Sequence, residues 1–154
     1  MQGSAAVVAA LNELLGLELT VLTQYFTHAK MCENWGFARL AEHLRRISLE
    51  EMTDAEEIID RVLFLEGVPR VDRPSGVAVG KTVGEMLRLH LEGERSALKI
   101  LHDGIAVAER EGDQSTREFF ATRLPEEEQH VDWLETQLSL MESVGEANYL
   151  AQQI

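Results

Sequence analysis

Apolar residues recur every three or four positions along almost the whole of this 154-residue chain, and its three prolines stand at 69, 74 and 125. That spacing lays one apolar stripe along a helix, so the chain reads as all-α. Leu11, Leu14, Leu15, Val21, Leu22 and Tyr25 mark a first helix at about 5–34, ended by Asn34-Trp35-Gly36. Leu40, Leu44, Ile47, Ile58, Val62 and Leu65 mark a second at about 37–66, which stops at Gly67 before Val68-Pro69. The one turn-rich stretch, 67–81, leads to a third helix at about 82–111 carrying Val83, Leu87, Ala97, Leu101 and Ile105 and closed by Glu111-Gly112-Asp113. A fourth, at about 114–144, carries Phe120, Leu134, Leu138 and Met141, and a short amphipathic stub follows at about 146–153. The short turns make helices 1–2 and 3–4 antiparallel hairpins, whereas the middle link of about 15 residues spans about 50 Å extended, enough to travel the roughly 45 Å length of a 30-residue helix. One domain, 1–154, is expected: a four-helix bundle with a single long crossover and a short fifth helix.

Five acidic or basic side chains stand on stripes that ought to be apolar. Glu18 and Glu51 lie about 17 and 16 residues from the first turn, near 25 Å in each direction. Glu94, Glu127 and His130 lie about 15 to 18 residues from the second turn, about 22–27 Å away. All four helices thus bring an acid to one height on the core side. Unpaired carboxylates buried together cost several kcal/mol each and repel one another, so the arrangement calls for cations, and a two-metal site is the economical reading. Glu127-x-x-His130 on the fourth helix is mirrored by Glu51-x-x-Asp54 on the second, each placing two side chains on one helical face. Oxygen-rich ligation with an imidazole suits iron or manganese better than structural zinc.

Composition narrows the partners. With 27 acidic against 14 basic residues the net charge is −13, which disfavours nucleic acid and anionic membrane surfaces. The single cysteine, Cys32, rules out an internal disulfide framework and a rubredoxin-like appendage. The start of the chain lacks a basic leader region, and nowhere do eighteen apolar residues follow one another. A cytoplasmic protein that neither leaves by an evident signal nor spans a membrane is expected.

LNELLGLEL, QYFTHAKM, ENWGFARL, EEM, DRVLFLEGVP, EEEQHVDWLETQLSL and NYLAQQI stand in an order and at spacings that resemble the bacterioferritins, within the ferritin-like group, over nearly the whole chain. That resemblance implies a cage of 24 subunits in which ferrous iron is oxidised at an intrasubunit di-iron centre and stored as ferric mineral. By position, the family's ligands fall on Glu18, Glu51, Glu94, Glu127 and His130, and the sixth, a histidine in the family, is Asp54 here. The resemblance also makes Met52 an axial ligand of a haem b shared between two subunits, with Leu19, Leu22, Phe26 and Leu49 lining the pocket. Spacing alone reads Met52 as packing on a second stripe with Leu49, Ile59 and Leu63, and the lining residues as plain interface.

Three departures bear on activity. Asp54 brings the ligand set to five carboxylates and one histidine, an extra negative charge that favours ferric iron and its retention. Arg46 places a positive charge where the family usually has acidic or histidine residues, and Pro125 removes an amide donor two residues before Glu127, kinking the fourth helix. The resemblance implies ferroxidase activity and iron storage in a homo-oligomer of 24, with a ferredoxin as electron donor for release, and the departures weigh against fast oxidation by this subunit alone. The alternative is a haem-carrying, weakly catalytic subunit that co-assembles with a ferroxidase-competent second chain. A dimanganese catalase or rubrerythrin-like enzyme is disfavoured by the missing cysteines and by the NYLAQQI segment. Tyr25, one helical repeat from Glu18, reads either as a donor to a site carboxylate or as a satisfied core tyrosine, and His90 as a partner of Glu94 or a core histidine. His28, His43 and His102 read as core, surface or inner-wall residues, and Trp35 and Trp133 as packing at a turn and an interface.

Overall fold

The computed structural model describes residues 1–72 and 76–154; Pro74, in the expected crossover, lies outside the described residues. The helices are α1 (Ala5–Asn34), α2 (Ala38–Phe64), α3 (Val83–Arg110), α4 (Gln114–Ala121), α5 (Leu124–Val144) and α6 (Glu146–Ala151), with no strand among the described residues. Local chemistry sets the ends. Ser4 accepts from the Val7 amide and Thr82 from the Glu85 amide, while the Glu85 carboxylate turns back to the Lys81 amide. Gly36 and Gly112, at φ of 88° and 73°, make the left-handed turns between α1 and α2 and between α3 and α4.

The fourth helix departs from expectation. It is two helices, α4 and α5, interrupted at Thr122 and Arg123, and Pro125 sits in the first turn of α5. A proline ring clashes with the carbonyl four residues back, here Ala121, so the chain ends one helix at that residue and starts another instead of bending.

α1 packs on α2 and α3, and α3 packs on α4 and α5, which closes a bundle. Val21 meets Gly93, Tyr25 meets Glu94 and His28 meets His90, so α1 and α3 run antiparallel. The crossover is pinned along α1 by three polar side chains of that helix. Asn12 donates to the Val68 carbonyl and accepts from the Arg70 amide, Gln24 donates to the Ala78 carbonyl, and His28 Nε2 accepts from the Gly80 amide. The link thus follows α1 for about 24 Å. At the other side of the bundle, Arg61 of α2 donates to the Thr116 hydroxyl and pairs with Asp113 at the start of α4.

The core falls into two apolar clusters. One joins Val21, Tyr25, Leu44, Ile47, Leu87 and Leu134; the other joins Leu11, Leu14, Ala55, Ile58, Leu101 and Phe120. α1 is the one helix among the described residues apolar enough by length and composition to cross a membrane, with a mean hydropathy of 1.7 over its best window. Here it is the central core helix: its apolar side packs in both clusters and Glu18 is buried among them.

Candidate metal centre

Between the two clusters lies a polar layer. Glu18, Glu51, Glu94, Glu127 and His130 are all buried. Glu51, Glu94, Glu127 and His130 each present one ligating atom, and the four atoms lie within 4.8 Å of one another. His130 Nδ1 is 3.2 Å from Glu51 Oε1 and 3.5 Å from Glu94 Oε1. Glu18 and Glu127 lie close enough for the charges of Glu51 and Glu94 to act on them. The equal heights expected from helical rise are therefore realised. Asp54 is half-buried and stands outside the four-residue group, close enough to feel the charges of Glu126 and Glu51.

Protons hold the metal-free site together. Burial, then the charge of Glu51, raises the Glu18 carboxyl well above its ordinary value. Burial and the hydrogen bond to Glu94 push Glu127 up to about 12. Burial also opposes ionisation of Glu94, but hydrogen bonds from Glu127, His130 and Tyr25 reverse it and hold Glu94 below the ordinary range. Burial disfavours a charged His130 as well; hydrogen bonds to Glu51 and Glu94 overcome this and raise it to about 11. Burial followed by the charges of Glu126 and Glu51 brings Asp54 to about 7. Even so, both oxygens of Glu51 and one each of Glu94 and Glu127 are buried without a well-formed hydrogen bond, as is His130 Nδ1. Several unsatisfied ligating atoms converging on one point is the donor set of a cation site.

Tyr25 donates to Glu94 Oε1 at 2.7 Å, which fixes that carboxylate with Oε1 also 3.5 Å from His130 Nδ1 and Oε2 buried without a partner. His90 acts on Tyr25 by stacking, at 3.8 Å between ring centres and 2° between planes. It also receives His28, whose Nδ1 lies 2.9 Å from His90 Nε2. Because the Gly80 amide donates to His28 Nε2, His28 carries its proton on Nδ1 and donates onward to His90.

Two carboxylates escaped the spacing argument. Glu50 and Glu126 form a half-buried group with His130, whose Nε2 lies 3.5 Å from Glu50. Each precedes a site acid by one residue, and about 100° of helical rotation places it on the flank, a signal already present in the sequence. Arg46 is exposed beside Glu50, 3.8 Å away, and donates toward His43, which stacks on Trp133. Met52, Phe26 and Leu49 are each about half exposed at 50%, 54% and 54%, while Leu19 and Leu22 pack partly buried against the second cluster. Cys32 is buried with its thiol 3.9 Å from Met86 sulfur, and burial pushes it up to about 11. His102 is exposed.

Residues 8–144 match the family described as Ferritin-like domain. The chain is 43% identical over 152 residues to bacterioferritin BfrA of Mycobacterium tuberculosis, covering 99% of this chain and 96% of that protein. It is 42% identical to the bacterioferritin of Streptomyces coelicolor over 98% of this chain and 90% of that one. It is also 37% identical to the bacterioferritin of Brucella melitensis biotype 1, over 97% and 92%.

Proposed function

We propose, from the fact that this chain belongs to the bacterioferritin family of ferritin-like proteins, that it is an iron-storage subunit that oxidises ferrous ions at an intrasubunit two-metal site. The ferric product is then kept as mineral in a cage of 24 subunits, and a reduced ferredoxin supplies electrons for release. A cytoplasmic location goes with that role. The observation that carries the reading is the convergence of unsatisfied oxygens of Glu51, Glu94 and Glu127 with His130 Nδ1 in a buried layer.

Iron is the substrate, and each ferrous ion gives up one electron to oxygen or peroxide. The protein's part is to bind and to exchange protons. Glu18, Glu51, Glu94, Glu127 and His130 would hold the metals, with Asp54 as the sixth candidate. Glu127, protonated at neutral pH before metal binds, releases its proton as a cation enters, because a ligand must be deprotonated to coordinate, and burial shifts Glu18 in the same direction. Tyr25 keeps Glu94 in one orientation throughout. The apolar clusters on either side exclude bulk water and strengthen each charge interaction.

The test is anaerobic addition of ferrous iron to the metal-free protein followed by air, with ferric absorbance recorded for the native chain, Asp54→His and Glu51→Gln. Rapid oxidation of about two irons per subunit by the native chain, abolished in Glu51→Gln, is expected. Equal slow oxidation by native and Glu51→Gln proteins defeats the reading.

A second reading has support in Met52. Its half-exposed thioether stands among exposed apolar side chains, a soft ligand in surroundings that suit haem. A subunit of this kind carries haem b with a symmetry-related copy and relies on a second chain for fast oxidation. Fast oxidation only in Asp54→His favours it, and haem uptake that survives Met52→Ala removes it.

A further inference from the structure

We infer that the cleft shared by the start of α2, the middle of α5 and the end of the chain after α6 is a binding site for inorganic phosphate. The inference goes beyond the two-metal reading and needs no metal, so either can fail without the other.

The cleft encloses about 570 Å³, and Arg39, Glu42, His43 and Arg46 of α2 line it together with Trp133 and Gln137 of α5. Docking of the chain end builds its wall. The Arg39 amide donates to the Gln153 carbonyl at 2.9 Å, and the Tyr149 hydroxyl donates to Gln137 Oε1 at 2.8 Å. In a chain of 27 acidic and 14 basic residues, two arginines on one cleft are a local reversal of sign. The Arg39 guanidinium has no ion pair or hydrogen bond among the described residues, so its charge is uncommitted. No side chain caps α2, and the positive end of that helix adds to the field.

The polar groups around the two arginines are left as donors. Arg46 Nη2 lies 2.9 Å from His43 Nδ1. A guanidinium cannot accept, so Nδ1 does, and the neutral imidazole carries its proton on Nε2. Burial, then the charges of Arg46 and His130, lower His43 to about 4 and keep it neutral at pH 7. Stacking on Trp133, at 3.9 Å between ring centres and 23° between planes, holds the ring in place. Gln137 has its oxygen taken by Tyr149, which leaves its amide nitrogen to donate. Two guanidiniums, an imidazole N–H and an amide suit an anion with several acceptor oxygens, and the arginine fork matches phosphate geometry.

Two carboxylates face these donors. Glu50 lies 3.8 Å from Arg46 Nε, too far for a hydrogen bond, and leaves the rest of that guanidinium free. Glu42 lines the cleft itself and selects among anions. Monohydrogen phosphate carries an O–H that can donate to a carboxylate. Sulfate has none, and a phosphate ester has lost its own well below pH 8. The acid therefore favours the free ion over both.

Isothermal titration calorimetry of the metal-free assembled protein at about pH 8 tests this, with phosphate, sulfate and adenosine monophosphate as probes. Phosphate should bind saturably at about one per subunit, and Arg39→Gln and Arg46→Gln should each weaken it by about tenfold or more. Arg110→Gln, an exposed arginine outside the cleft, should change it by less than about twofold. Sulfate and adenosine monophosphate should bind the native chain at least about tenfold more weakly than phosphate, and Glu42→Gln should cut the preference over sulfate below about threefold. No saturable binding below about 10 mM phosphate overturns the inference, as does affinity undiminished in both cleft variants. An equal loss in Arg110→Gln reduces the effect to diffuse attraction and also overturns it. The native chain alone supplies a further check: sulfate binding as tightly as phosphate, or the nucleotide binding more tightly, removes phosphate as the ligand.

Discussion

Glu127 is an acid whose protonation shapes the metal-free protein. Its folded value, about 12, lies far above the ordinary 4.5, so the folded chain keeps a proton that the unfolded chain gives up. Stability from this group is complete below pH 4.5 and drains away as pH rises toward 12; at neutral pH it is already reduced by about 3 kcal/mol. Glu127→Gln keeps a donor toward Glu94 and removes that penalty. Chemical denaturation at pH 7 should find the metal-free variant about 1–3 kcal/mol more stable than native, with a flatter pH dependence and weaker metal uptake. His28 carries the opposite sign: burial lowers it from 6.5 to about 4, so its contribution is present above pH 6.5 and lost as pH falls toward 4. Protonation would take the lone pair that receives the Gly80 amide. His28→Gln should therefore flatten the stability profile between pH 4 and 6.5 in metal-free denaturation curves. At this scale the sequence already located Glu18, Glu51, Glu94, Glu127 and His130, because helical rise is regular and both turns are short. It could not show that His90 reaches Glu94 through the ring of Tyr25, since stacking leaves no trace in spacing.

The helices themselves were legible nearly to the residue where a cap or a left-handed glycine marked the end, as at Gly36 and Gly112. The fourth was not. Pro125 signalled disturbance, but whether a proline bends a helix or divides it depends on what the freed residues find to bind, and Arg123 finds Phe119 and Glu57. The crossover was legible in length but not in path. Asn12 and Gln24 look like interruptions of an apolar stripe until the crossover carbonyls and amide that they bind are seen. Helix packing here also depends on one missing side chain. A Cβ at Gly104 of α3 would stand 2.8 Å from the Phe120 ring, and that ring, fully buried, has no room to retreat. Gly104→Ala should lower stability by about 1–3 kcal/mol despite its better helix propensity, seen as a reduced thermal midpoint of the metal-free protein.

For the whole molecule, Phe26, Leu49 and Met52 are among the apolar side chains that a single chain leaves exposed. Association with a second copy would cover them, as the cage reading requires. Leu49→Asp should fold with native helicity yet sediment as a smaller species than the native protein, because a buried unpaired charge is costly only once the interface forms. Retention of the native sedimentation coefficient would place the assembly contacts elsewhere. The polar layer between the two apolar clusters has a further consequence, for the lifetime of the chain. A ligand that binds only the folded form stabilises it in proportion to the logarithm of its free concentration. Glu18, Glu51, Glu94, Glu127 and His130 stand in the middle of the bundle and not at its rim, on α1, α2, α3 and α5, so filling that layer would tie these four helices together at once. Local opening, the event that exposes a chain to proteases, then becomes rarer as cations accumulate. Scarcity would have the reverse effect, so that the abundance of the container follows the supply of its contents with no separate sensor.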